Sequence, residues 1–217
     1  MKLRIDLKIF IFIALFYFTK QIEIYGILMI FAIIHELGHL LAGLILGMEP
    51  EKIEIMPFGV SISFKILTED YNSKVKNGNK LELKKIFVAF AGPITNFLMI
   101  LITRCLTIDF EKSLLICYAN LLIMLFNLLP IYPLDGGRIL RSVLYIFIGK
   151  RKAEKYTNLI SKIVVSIITA ISSILILYLK NIAIFLMVVF LWYLIITEDI
   201  KYNKRMQIFK KFDNYNQ

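Results

Sequence analysis

The sequence predicts an all-α membrane protein: six transmembrane helices with a small membrane-associated β-hairpin after the second helix. Three observations carry this. First, 59% of the 217 residues are hydrophobic, where a soluble domain has about 45–50%. Second, the apolar residues gather into runs near the roughly 20 residues that cross a bilayer core. Third, the basic residues fall in alternate connections between those runs, as the positive-inside rule requires.

The expected spans are about 5–18, 22–47, 85–106, 113–129, 158–179 and 182–197. The first is short and weakly bounded. It does not read as a signal peptide, because no small-residue cleavage site follows it; Thr19-Lys20-Gln21-Ile22-Glu23 leads straight into the second span. Between the second and third spans, Lys52–Ile66 alternates. Ile53, Ile55, Val60, Ile62, Phe64 and Ile66 take every second place, with Ser61 and Ser63 between them and Pro57, Phe58 and Gly59 at the middle. Period-two patterning broken by Pro and Gly reads as a hairpin or a membrane-dipping loop. Such a hairpin either shields what lies beneath it or offers a strand edge to an extended peptide.

Placing the N-terminus in the cytoplasm puts segments 1–8, 48–85, 131–156 and 198–217 inside, with 21 of the 26 basic residues. Lys20, Arg104, Lys112 and Lys180 lie outside, and Lys162 near the inner end of the fifth span. The net charge of +10 therefore calls for anionic lipid as its partner, not nucleic acid. Arg138 and Arg141 read as interfacial anchors in a short helix. Cys105 and Cys117 read as small apolar filler near the outer face, with no Cys-x-x-Cys pair for a structural metal.

His35-Glu36-Leu37-Gly38-His39 lies inside the apolar run Tyr25 to Leu46. Histidines four apart share one helix face, where both imidazoles reach one metal ion. Ionisable groups at membrane depth cost about 2.5–3.5 kcal/mol each on insertion scales, so this cluster implies a function. Glu36, about 100° round the helix from His35, is placed as a general base. Gly38 permits close approach of a second helix or of a substrate backbone.

A catalytic zinc takes three protein ligands. The chain has only two histidines, and both cysteines fall near the wrong face. A carboxylate remains, among sixteen acids. Most lie in polar loops. Asp135 alone follows a Pro-broken apolar segment, Asn127 to Gly137, at the inner end of the fourth span, where Pro and Gly free the backbone from a helical path. The expected metal set is His35, His39 and Asp135, with Zn2+ as cofactor and Glu36 as the catalytic base. Asn96 and Asn127 are amides in apolar helices; each either contacts substrate or bonds a neighbouring helix.

These residues resemble the site-2 proteases, intramembrane zinc metalloproteases. The likeness rests on His35 through His39, Pro57-Phe58-Gly59, Ala91-Gly92-Pro93-Ile94-Thr95-Asn96 and Asn127 through Gly137, and spans roughly residues 25–145. It is strongest toward the bacterial sporulation branch. The resemblance implies zinc on His35, His39 and Asp135, Glu36 as base, and cleavage of a membrane-associated protein near the cytoplasmic face. In the sporulation branch the substrate is an inactive pro-sigma factor, and two membrane proteins inhibit the protease. Another tethered regulator, such as an anti-sigma factor, is the alternative substrate. A metal transporter is the alternative class, but one compact site and a glutamate with no transport role argue against it. Residues 1–197 are expected to form the protease domain. Residues 198–217 are expected to be a basic cytoplasmic tail, too short for the nucleotide-sensing domain that many relatives carry.

Overall fold

The computed structural model describes residues 2–5, 13, 17–18, 20, 22–56, 59–64, 74–106, 109–179 and 182–215. Three strands and six helices longer than one turn lie among them: β1 (Lys2–Ile5), α1 (Ile22–Ile45), β2 (Pro50–Met56), β3 (Gly59–Phe64), α2 (Lys74–Cys105), α3 (Phe110–Asn127), α4 (Asp135–Ile148), α5 (Lys150–Leu179) and α6 (Ile182–Tyr215). The chain divides into two compact units, Met1–Leu128 and Leu129–Gln217.

Four helices are long and apolar enough to cross a membrane: Ile22–Ile45, Asn79–Cys105, Phe110–Asn127 and Lys150–Tyr178. They match the second to fifth expected spans in place, with ends that differ by up to eight residues, at the start of the fifth. The expected sixth span lies within α6. Most of the expected first span lies outside the described residues, and its first residue, Ile5, belongs to β1. The protein is thus a largely helical membrane protein. Large apolar side chains such as Leu41, Leu44, Phe97, Leu122 and Ile174 are exposed along these helices. In water such a surface would drive association; in hydrocarbon it is the matching solvent.

In the first unit α1 packs on α2 and α3, and α2 on α3. Tyr25, Phe31, His35, Gly38, His39 and Gly43 form the buried face of α1, at the three- and four-residue spacing of one helix side. Two glycines on that face are needed for close approach. A side chain at Gly38 would meet Ala91 O at 3.0 Å and collide with Thr95 Oγ1, while one at Gly43 would collide with the Phe64 ring. Gly38 therefore serves the α1–α2 contact, as small residues do between membrane helices.

The strands form one sheet in the order β1-β2-β3. β2 and β3 pair antiparallel with Ile55 opposite Val60, and β1 adds in parallel with Leu3 opposite Ile53. β3 packs against α1. Pro57 and Phe58, between β2 and β3, lie outside the described residues; Gly59 opens β3.

In the second unit α4 packs on α5 and α5 on α6. Ile131, Val165 and Leu191 are fully buried. Trp192 Nε1 donates to Thr169 Oγ1 at 3.0 Å, tying α6 to α5. Further along, Lys162 Nζ and Asn158 Nδ2 both donate to Asp199 Oδ1, at 2.9 and 2.8 Å. Lys162 and Asn158 together hold the Asp199 carboxyl below its ordinary range.

Candidate metal centre

His35 and His39 are nearly completely buried on α1, and a chain of hydrogen bonds fixes how each ring is turned. The chain starts at a backbone carbonyl, which can only accept. Ile116 O accepts from Asn120 Nδ2 at 2.9 Å, so the Asn120 oxygen faces Asn96. Asn96 Nδ2 donates to that oxygen at 2.9 Å, which turns Asn96 Oδ1 toward His35 Nδ1. His35 must then carry its proton on Nδ1 and present the Nε2 lone pair. Both asparagines are fully buried, and burying an unpaired amide costs more than the net value of its hydrogen bonds, so the relay is held as a unit.

His39 is fixed the same way by a different element. Its Nδ1 lies 2.7 Å from Val88 O, so Nδ1 is the donor and Nε2 carries the lone pair, as in His35. Gly92 N–H also points at Nδ1, at 3.3 Å. The shorter contact to an acceptor-only carbonyl places a proton on Nδ1, so the Gly92 contact is a close approach and not a second bond. Pro93 follows directly inside α2. An internal proline removes the helical hydrogen bond to the carbonyl four residues before it, here Ala89, next to the Val88 carbonyl that meets His39.

The two Nε2 atoms are 3.1 Å apart, with the rings at 89° to one another. Two lone pairs at that distance repel unless a cation or a proton lies between them. Two imidazole nitrogens about 2.0–2.1 Å from one tetrahedral zinc lie roughly 3.4 Å apart, close to the separation seen. The space is supplied by Gly92. A Cβ there would stand 2.6 Å from His35 Nε2 and would overlap His39 Nε2, so the missing side chain leaves a cradle next to both nitrogens. The donor set and the cradle both fit a metal ion. Ring nitrogens that donate their far N–H to an amide or carbonyl are the usual partners of a bound metal.

Glu36 is half-buried, on the neighbouring side of α1. Asn127 donates Nδ2 to Ile123 O at 3.0 Å in its own helix.

Asp135 belongs to the second unit, where it is buried as the first residue of α4. A carboxylate at a helix N-terminus is favoured by the helix dipole. Arg138 Nη1 lies 3.7 Å from Asp135 Oδ1. The loop before Asp135 folds tightly onto the first turn of α4. A side chain at Gly137 would overlap Tyr132 N and meet Ile131 O at 2.5 Å. Gly137 is thus required for the packing of that loop on α4, not for the turn that the sequence suggested. Arg141 also departs from its reading as a lipid anchor: Nη2 donates to Glu154 Oε1 at 2.6 Å.

Sequence reasoning singled out His35, Glu36, His39, Asn96 and Asp135. It missed Asn120, Val88 and the role of Gly92. Asn120 carried the same signal as Asn96, an amide in an apolar helix. The Val88 carbonyl has no side-chain signal at all.

Residues 24–115 and 109–171 match the profile of Peptidase family M50, two thirds of the chain. The chain belongs to Peptidase family M50. Among M50-type relatives, a zinc metalloprotease of Methanocaldococcus jannaschii is 30% identical over 144 residues, covering 63% of this chain and 38% of that protein. Stage IV sporulation protein FB of Bacillus subtilis is 26% identical over 144 residues, covering 64% and 46%. The chain therefore spans less than half the length of these curated relatives. The fold matches the solved site-2 protease from Methanocaldococcus jannaschii with a TM-score of 0.65 and 22% identity, over 90% of this chain and 89% of that one.

Proposed function

We propose that this M50 member is an intramembrane zinc metalloprotease of the site-2 type, cleaving a membrane-associated protein. The observation that carries the reading is the His35–His39 pair, with both Nδ1 atoms held on acceptors and both Nε2 atoms turned to one cradle beside Gly92. His35, His39 and Asp135 are assigned as the zinc ligands. All three are buried, and one ligand atom from each lies within 4.8 Å of the others. Zinc held by these residues supplies Lewis acidity, polarising a carbonyl and acidifying water.

The rest of the chemistry belongs to the chain. Glu36 takes the proton of the attacking water as the C–O bond forms, and passes it to the amide nitrogen as the C–N bond breaks. Asn96 serves as a positioning residue for His35, its amide engaged at both ends by His35 and Asn120. Pro57, Phe58 and Gly59, which follow β2 in the sequence, and Asn127 are assigned to substrate contact. The likeness to stage IV sporulation protein FB favours a pro-sigma factor as substrate, with inhibitory membrane proteins as further partners.

The chain is assigned to the cell membrane as a six-span protein with both termini cytoplasmic. Reporters within 74–80 and after residue 217 should read cytoplasmic, and one at 109–112 external. An external reading for 74–80 would place the site in the wrong compartment for a pro-sigma factor.

Glu36→Gln tests the proteolytic reading. Glutamine keeps the shape of glutamate but takes no proton. The variant should hold zinc at the wild-type ratio and cleave no co-expressed membrane-tethered substrate. Near-normal cleavage would remove Glu36 as base.

A further inference from the structure

Asp135 directly follows a short non-helical passage, Leu128 to Leu134, and its direction depends on what holds that passage still. Within the second unit two contacts converge on Tyr132, three residues before Asp135. The Tyr132 amide donates to Ser161 Oγ on α5 at 3.0 Å. Ser161 is itself oriented, donating its hydroxyl proton to Thr157 O at 2.8 Å. The Tyr132 ring lies under the Arg141 guanidinium, 4.6 Å from the guanidinium carbon to the ring centroid.

Arg141 is held in turn. Its Nη2 bonds Glu154 Oε1 at 2.6 Å, and Arg205 Nε on α6 approaches Glu154 Oε2 at 3.3 Å. Arg205 Nη2 also reaches Glu198 Oε1 at 2.9 Å. The Glu154 side chain is only 3% exposed, so its oxygens need donors inside the protein, and here both are arginines. A buried carboxylate with one partner removed is strongly destabilised. Such an arrangement costs more than an apolar core of equal volume. Plain packing of α4, α5 and α6 would not require two arginines to meet one buried acid behind a tyrosine ring.

We infer that Ser161 and Arg141, the latter braced by Glu154 and Arg205, are positioning residues for Asp135: they fix the Tyr132 backbone and ring so that the Asp135 carboxylate is presented in one direction. The inference rests on the assignment of Asp135 as a metal ligand. A carboxylate left free to swing still binds, but in a distribution of geometries. Supporting groups around a metal site are worth roughly 10–100-fold in affinity.

The test uses the full chain in detergent with cobalt(II) as probe, because the visible bands of cobalt report ligand geometry directly. Ser161→Ala removes one acceptor and leaves the packing volume almost unchanged. It should shift and broaden the cobalt bands and weaken binding about 10-fold against a competing chelator, with helical content unaltered. Asp135→Ala is run beside it. Wild-type bands and affinity in Ser161→Ala, with both lost in Asp135→Ala, would overturn the positioning role and leave the ligand assignment standing. Wild-type bands in Asp135→Ala would overturn the ligand assignment and this inference with it. Should Ser161→Ala fail to insert, Arg141→Lys decides. It keeps a charge for Glu154 but loses the flat guanidinium over Tyr132, and unchanged bands there would overturn the proposal.

Discussion

Asp135→Ala, purified in detergent, should lose most of its zinc and all of its cleavage while remaining folded and inserted. The two histidines alone leave a zinc with too few protein donors. Folding should survive because the Asp135 side chain is not what anchors α4. Gly137 packs on Ile131 and Tyr132, and Ser161 and Arg141 hold Tyr132 from α5 and α4. Asp135→Glu should keep part of the metal and place it wrongly, so activity should fall further than zinc content. Metal analysis beside a cleavage assay checks both variants. Full zinc with full activity in Asp135→Ala would reopen the choice of third ligand among the remaining acids.

Gly92→Ala should be as damaging as the loss of a ligand, although it removes no polar atom. The added methyl would stand 2.6 Å from His35 Nε2 and overlap His39 Nε2, filling the space a shared ion needs. Neither ring can turn aside, since Asn96 and Val88 hold their far nitrogens. Zinc affinity should fall by roughly 100-fold or more, at the upper end of the loss seen when groups around a metal are disturbed. The change should leave insertion intact, because alanine is the better helix former. Zinc content and a chelator titration of the purified variant check this. Wild-type affinity would mean that the ion does not use the cradle beside Gly92.

The parts of the fold that could be read from sequence were those carried by long local patterns. The second span was expected at about 22–47 and α1 runs Ile22–Ile45, because an unbroken apolar run has only one way to satisfy its backbone in lipid. The β2–β3 pairing follows from alternation around Pro57 and Gly59. β1 had no such signal. Lys2–Ile5 is four residues long, and its partner Lys52–Ile55 lies some 50 residues away; parallel pairing at that distance leaves no trace in either segment.

The site divides the same way. His35, Glu36 and His39 were legible because spacing of four on a helix is itself geometry. Asp135 stood out because one acid lay beside broken backbone. The groups that orient the histidines were not legible. Val88 acts through a carbonyl and Gly92 through an absent side chain, and neither has a chemistry that residue type announces. Arg141 read as an interfacial anchor, and Arg205 as part of a basic tail, because sequence counts charges without showing what faces them. Glu154, buried between them, supplied the reason they turn inward.

The most direct test of the central claim is X-ray absorption at the zinc edge of the purified, zinc-loaded chain. The account predicts one zinc per chain in a shell of nitrogen and oxygen at about 2.0–2.2 Å, with the outer scattering of two imidazoles and no sulfur. A thiolate shell near about 2.3 Å, or a chain that retains no zinc while still cleaving its substrate, would contradict it.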